Sequence, residues 1–78
     1  MNLNIITPDK SIYEGEASLV QLPGVDGSFE VLENHAPLIS ALKKGKIKVI
    51  KTDKTVVFFE INGGIIEVLK NKVLILAK

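Results

Sequence analysis

Short apolar segments separated by turn-forming residues run along the whole chain. Lys46-Ile47-Lys48-Val49 alternates polar and apolar side chains, which is the period of a strand with one wet and one dry face. Glycine, proline and asparagine recur between such segments at the spacing of antiparallel all-β folds. The pattern predicts strands at 2–7, 11–14, 16–22, 28–32, 38–43, 46–51, 55–61, 64–69 and 72–77. We therefore expect an all-β, two-sheet antiparallel β-sandwich of about nine or ten short strands.

One segment leaves the type of element open. Residues 38–43 carry apolar side chains that suit a strand, but Asn34 and Pro37 upstream would equally suit the start of a short helix. The remaining turns are predicted at 7–10, 22–27, 33–37, 44–45, 52–55, 62–64 and 70–71. No repeat or linker interrupts the pattern, so residues 1–78 are expected to form a single domain.

The composition supports a β-rich interior. Ile and Val together number 18, against nine Leu and four Ala, and branching at Cβ favours a pleated surface over a helix. The chain has no cysteine, so disulfides, thiolate metal sites and cysteine nucleophiles are excluded. No apolar stretch reaches the ~20 residues of a membrane span, and residues 1–4 do not open a signal peptide. These features predict a cytosolic domain without direct membrane insertion.

Two predicted strands are apolar on both faces. Val56-Val57-Phe58-Phe59 and Val73-Leu74-Ile75-Leu76-Ala77 lack the polar face that a two-layer sandwich ordinarily turns to water. Either a loop or hairpin of the same chain covers the second face, or that face is a patch for a partner protein. The position of the last strand, near the end of the sequence, favours the partner.

Catalytic chemistry is not indicated. His35 is the only histidine and has no second ligand at metal-binding spacing, while the glycines match neither a nucleotide-binding loop nor a nucleophile elbow. We therefore expect no catalytic residue, no metal and no cofactor.

The charges allow two weaker alternatives. Six lysines fall between Lys43 and Lys54, but no aromatic side chains accompany them for base stacking, so a solvated hairpin face is favoured over nucleic-acid binding. Thr52-Asp53-Lys54-Thr55 is similar to the modified-lysine hairpin of lipoyl carrier domains, although Asp-Lys is also ordinary turn chemistry. In that alternative, Lys54 would carry the lipoyl group.

Three motifs together resemble a known family. They are Leu22-Pro23-Gly24 with Gly27-Ser28-Phe29, then His35-Ala36-Pro37-Leu38, then Gly63-Gly64-Ile65-Ile66-Glu67-Val68. In this order, over essentially the whole chain, they resemble the amino-terminal β-sandwich domain of the epsilon subunit of F-type, proton-translocating ATP synthases. The resemblance implies that 38–43 is a strand.

The resemblance implies a mechanical function. Such a domain is a non-catalytic rotor subunit of the central stalk, bound to the gamma subunit and the c-ring and assembled with the alpha and beta subunits, at the cytoplasmic face of the bacterial inner membrane. Typical members continue into a carboxy-terminal helical hairpin, whereas this sequence stops at Lys78. The inhibitory role of that hairpin is not carried over. We expect the isolated chain to be monomeric.

The resemblance also implies two contact surfaces. A loop facing the c-ring would comprise Gly24, Val25, Asp26, Gly27, Ser28 and Glu30. A surface facing the gamma subunit would comprise Thr7, His35, Ala36 and Pro37, joined by Val73 and Ile75 from the doubly apolar last strand.

Overall fold

Six strands and no helix make up the chain, whose computed structural model describes residues 1–78. The strands are β1 (Asn2–Ile6), β2 (Ser11–Gly24), β3 (Gly27–Leu32), β4 (Leu38–Lys51), β5 (Val56–Leu69) and β6 (Lys72–Ala77). The all-β sandwich is therefore confirmed. Accordingly, no helix of the structure has the length and apolarity needed to cross a membrane.

The predicted number of strands is too high because three pairs of predicted segments are continuous. Lys44-Gly45 lies inside β4 and Asn62-Gly63-Gly64 lies inside β5, although both were expected to be turns. Gly15 likewise lies within β2. Residues 38–43, for which the sequence allowed either a strand or a short helix, form the first half of strand β4.

The strands form one hydrogen-bonded sheet that folds over into two layers. Their order is β1-β6-β5-β4-β2-β3, and a further pairing of β1 with β2 closes a ring that leaves β3 beside β2. β1 and β6 run parallel, which differs from the all-antiparallel expectation, and the other pairs are antiparallel. The first layer contains β1, β6, residues 64–69 of β5 and residues 38–44 of β4. The second contains β3 and the parts of β2, β4 and β5 at 17–24, 45–51 and 56–61.

Alternating side chains of both layers fill the core. Sixteen apolar residues are buried and no polar or charged residue is among them. In β4, Ile47 and Val49 point inward while Lys46 and Lys48 point outward, as the alternation predicted. Each fully buried Ile or Leu stabilises the fold by about 1.5–3 kcal/mol relative to exposure.

Glycines let the long strands pass from one layer to the other. Gly64 has φ +151°, and a Cβ atom there would lie 2.2 Å from the carbonyl oxygen of Leu76 on β6. At Gly45 a Cβ atom would lie 2.8 Å from Cβ of Pro23 on β2. Within these strands, glycine is therefore required by close approach of the Leu76 backbone at Gly64 and of the Pro23 ring at Gly45, not by a turn.

The remaining turns lie where the sequence predicted them. Lys70 and Asn71 both have positive φ, 51° and 61°, and close the two-residue hairpin between β5 and β6. In the turn between β4 and β5, the carboxylate of Asp53 accepts a hydrogen bond of 2.9 Å from the backbone N–H of Thr55. Hydrogen bonds from the side chain and backbone of Thr55 hold the pKa of Asp53 below its ordinary value.

Candidate docking surfaces

The β2–β3 hairpin presents the residues predicted to face the c-ring. Val25 and Asp26 form its two-residue tip, and Val25 is 52% exposed despite its apolar side chain. Gly27, with φ +128°, Ser28 and Glu30 follow on β3 and are also exposed. An exposed valine beside an aspartate gives the tip an apolar contact point with one adjacent charge.

Gly24 differs from its predicted neighbours because it is buried. A Cβ atom there would lie 2.6 Å from the carbonyl oxygen of Gly27 and 2.8 Å from the ring of Phe29. Gly24 therefore supports the tip by letting Phe29 pack against the backbone, and it does not present a surface of its own.

The hairpin tip is anchored to β4. The backbone N–H of Val25 donates a hydrogen bond of 3.2 Å to the carbonyl oxygen of Ala41, and Gly24 is in register with Leu42. Pro23 packs on Gly45 in the same region. The β2 side of the two-residue loop is therefore attached to β4 by hydrogen bonding, register and packing.

The other predicted surface residues lie in two separate places. Thr7 is in the β1–β2 turn, where its backbone N–H donates to the carbonyl oxygen of Lys10 at 2.8 Å. His35, Ala36 and Pro37 lie in the connection before β4. Thr7 lines a groove with Ala41 and Lys43, further along β4, so the structure does not bring it beside His35.

The connection around His35 is fixed by the β5–β6 turn. Asn71 accepts a hydrogen bond of 2.8 Å from the backbone N–H of Asn34, and its amide donates to the carboxylate of Glu33 at 3.0 Å. Nδ1 of His35 lies 2.7 Å from the carbonyl oxygen of Ala36, which can only accept, so this nitrogen carries the proton. The imidazole thus makes an ordinary structural hydrogen bond. No group of three or more His, Cys, Asp or Glu side chains is placed to hold a metal ion.

An apolar surface connects these two places. Register aligns Ala41 of β4 with Ile65 of β5, Ile65 with Leu76 of β6, and Leu76 with Ile6 of β1, giving a row across four strands. Ile39 and Leu74 extend it on either side of the exposed Glu67, with which both are aligned. We call this set the apolar face; it comprises Ile6, Ile39, Ala41, Ile65, Leu74 and Leu76. Ile39 is 72% exposed, Ile65 49% and Leu76 46%, and at one end the face opens into a groove of about 690 Å³.

The inclusion of Val73 and Ile75 in the gamma-facing surface is wrong. Val73 is 2% exposed and Ile75 is fully buried, because the parallel register places them beside the core residues Leu3 and Ile5. The outward side chains of β6 are Leu74 and Leu76. β6 therefore does have an accessible apolar side, but Leu74 and Leu76 form it, whereas Val73 and Ile75 belong to the core.

A second exposed apolar group lies outside the other layer. Val56 of β5 is aligned with Ile50 of β4, Ile50 with Leu19 of β2, and Leu19 with Leu32 of β3. Phe58, 60% exposed, is the next outward residue on β5 and is aligned with Lys48. Lys46 is aligned with Glu60, so lysines and apolar side chains are mixed on this side and do not form a purely basic surface.

The chain belongs to the family of delta and epsilon chains of ATP synthase, since residues 1–78 match the family described as "ATP synthase, Delta/Epsilon chain, beta-sandwich domain". Among individual relatives, it is 43% identical over 76 residues to the ATP synthase epsilon chain of Chlorobium limicola, covering 97% of this chain and 86% of that protein. It is 49% identical over 78 residues to the epsilon chain of Campylobacter lari, covering all of this chain and 60% of that one.

Solved structures share the fold. One is a chain of the Euglena gracilis mitochondrial ATP synthase, described with OSCP, F1 and c-ring, with a TM-score of 0.90 at 21% identity over 96% of this chain. Another is from the central stalk and c-ring of the Tetrahymena thermophila enzyme, with a TM-score of 0.83 at 18% identity over 99% of this chain. The chain spans 48% and 62% of these two proteins, respectively. The family match leaves the lipoyl-carrier interpretation of Lys54 without support.

Proposed function

We propose that this chain is a non-catalytic, epsilon-type rotor subunit of an F-type ATP synthase. In this role it couples rotation of the c-ring and the gamma subunit to ATP synthesis on the alpha and beta subunits. The names of its relatives support the assignment. The observation that carries it in the structure is the apolar face, which leaves aliphatic side chains of four adjacent strands in water although the core is already filled.

The gamma subunit is the proposed occupant of the apolar face. A contact centred on Ile39, Ile65 and Leu76 would bury aliphatic surface, while Thr7 and the His35–Pro37 segment flank it at the two ends. Burial of apolar area supplies most of the affinity in such a contact, and charged groups at its rim mainly set the orientation.

The c-ring is the proposed partner of the β2–β3 tip. Val25 and Asp26 project from the sandwich on the shortest kind of hairpin loop, and hydrogen bonding to β4 fixes their direction. A subunit that transmits torque must move as one body, and a closed sheet with an anchored tip meets that requirement. The relatives named above are bacterial subunits of this complex. The location that we propose for it is the cytoplasmic face of the inner membrane.

Neutralising both tip-side carboxylates, with Asp26→Asn and Glu30→Gln, should weaken c-ring association at low salt. Exposed charge pairs contribute about 0.2–1 kcal/mol each, so for two carboxylates we expect a loss of about twofold to thirtyfold in affinity. The difference from the unchanged chain should shrink as ionic strength rises, because salt screens exposed charges. Co-sedimentation with purified c-ring across a salt series measures this. Equal affinity of the two proteins at every salt concentration would exclude a charged contact.

The proposed function is tested by using the chain as bait on detergent-solubilised membranes of the source cell. Recovery of the gamma subunit together with alpha, beta and c subunits is the expected result. Recovery of a dehydrogenase complex, of nucleic acid alone, or of none of these subunits would contradict it.

A further inference from the structure

The groove at the end of the apolar face exists because the middle of β5 lacks side chains. Gly64 of β5 is aligned with Leu42 of β4, and Gly63 lies across from Lys43 in the same register. Residues 6–8, from the end of β1 and the β1–β2 turn, line the groove as well. Its volume of about 690 Å³ is in the range of ordinary ligand-binding clefts, so it has room for a side chain of a partner.

The groove carries positive side chains and no negative one. Its lining is mostly apolar side chains and glycine backbone, its polar side chains are Thr7 and Asn62, and its only charged side chains are Lys43 and Lys78. Both lysines are exposed. Both salt bridges of the chain involve the α-ammonium group of Met1, so neither lysine is paired with a carboxylate. An apolar lining with unpaired ammonium groups is complementary to a carboxylate that has apolar neighbours.

The groove is continuous with the apolar face. Ile6, Ala41, Ile65 and Leu76 belong to the apolar face and also line the groove. A partner that covers the apolar face therefore reaches the groove, and the gamma subunit is the partner proposed for that face. Residues 25–26 of the β2–β3 tip, proposed to contact the c-ring, do not line it.

On the basis of the proposed function, we propose that an acidic residue of the gamma subunit enters this groove and pairs with Lys43. Apolar side chains beside that acidic residue then pack on the apolar face. Burial of apolar surface supplies affinity without direction, whereas a charge pair at one end sets the orientation of the two partners. A subunit that transmits torque needs a fixed orientation on the shaft that turns it, and Lys43 supplies it.

Charge reversal at Lys43 tests the pair. Lys43→Glu removes one attraction and adds a repulsion of similar size, so affinity for purified gamma subunit at low salt should fall about twofold to thirtyfold. The difference from the unchanged chain should shrink as ionic strength rises, because salt screens exposed charges. Titration calorimetry at low and high salt measures the binding, and circular dichroism checks that the variant folds.

Lys44→Glu is the matched control. Lys44 is the next residue of the same strand and is also exposed, so the change in net charge is identical. It does not line the groove and instead lines a smaller cavity of about 200 Å³ with Lys46 and Glu60. Lys44→Glu should therefore bind the gamma subunit like the unchanged chain.

Zero-length crosslinking identifies the partner residue. A carbodiimide activates a carboxylate, and attack by the Lys43 amine forms an amide bond with release of a urea, so only groups already in contact are joined. In a mixture of the chain with gamma subunit and c-ring, mass spectrometry should find Lys43 joined to an aspartate or glutamate of the gamma subunit. A crosslink from Lys43 to the c-ring and not to the gamma subunit would overturn the proposal.

The outcomes separate this inference from the proposed function on which it rests. If the unchanged chain binds the gamma subunit and Lys43→Glu binds it equally well at low salt, the pair with Lys43 is refuted and the rotor assignment stands. Equal losses in Lys43→Glu and Lys44→Glu would reveal a general effect of net charge and would also refute the pair. If the unchanged chain does not bind the gamma subunit at all, the proposed function itself fails.

Discussion

Replacing Gly64 with alanine should lower the free energy of unfolding by about 3 kcal/mol or more. The added Cβ would stand 2.2 Å from the carbonyl oxygen of Leu76 and 3.1 Å from Cα of Ala77, so two backbones that are hydrogen-bonded together would have to separate. The φ of +151° adds strain, because side chains rarely adopt that conformation. Equilibrium unfolding in urea measures the loss.

Gly27→Ala is the matched control for backbone conformation. Gly27 has a comparable φ of +128°, but a Cβ there would meet nothing within 4 Å. Its expected cost is therefore conformational only, about 1–3 kcal/mol at most. Gly63→Ala lies between the two, with a contact of 3.4 Å to the carbonyl oxygen of Leu42, and keeps the comparison usable if Gly64→Ala fails to fold. Equal losses at Gly64 and Gly27 would show that close approach to β6 is not what requires glycine at position 64.

The behaviour of the glycines explains which parts of the fold could be predicted from sequence. Glycine next to a polar residue has the same local pattern at a turn and at a bend within a strand. The sequence therefore predicts turns at both Lys44-Gly45 and Asn62-Gly63-Gly64, although both lie within strands. The distinction depends on a neighbour distant in sequence: Pro23 for Gly45 and Leu76 for Gly64. By contrast, Asp53 and Asn71 make their own local turns, and those positions were predicted correctly.

The same limit applies to the candidate site. The hairpin tip at Val25–Asp26 could be predicted from the sequence, because glycines on both sides of it favour a tight turn. For β6, alternation separates Val73 and Ile75 from Leu74 and Leu76, but five consecutive apolar residues do not reveal which set faces inward. That choice is made by register with β1, where Leu3 and Ile5 are buried and Asn2 and Asn4 are not. The polar asparagines of β1 are the signal that could have assigned the faces of β6.

Replacing Leu76 with glutamate should reduce affinity for the gamma subunit by about thirtyfold or more. Leu76 lies near the middle of the apolar face, and an unpaired carboxylate buried in a contact costs about 2–5 kcal/mol. In the free chain the side chain is 46% exposed, so the carboxylate stays hydrated and the expected loss of stability is only about 1 kcal/mol. Titration calorimetry with purified gamma subunit measures the binding, and urea unfolding measures the stability of the free chain.

Phe58→Glu is the matched control for this substitution. Phe58 is a large apolar residue of similar exposure, 60%, on a strand of the opposite layer, so the chemical change is the same and only the surface differs. Affinity for gamma should be lost with Leu76→Glu and kept with Phe58→Glu, because Phe58 lies in the second layer, outside the apolar face proposed to bind gamma. If the opposite pattern is found, the gamma subunit binds the second layer, and the apolar face must be assigned to another component of the stalk. If both variants bind normally, neither Leu76 nor Phe58 contributes to the gamma contact, and the proposed role of the apolar face is contradicted.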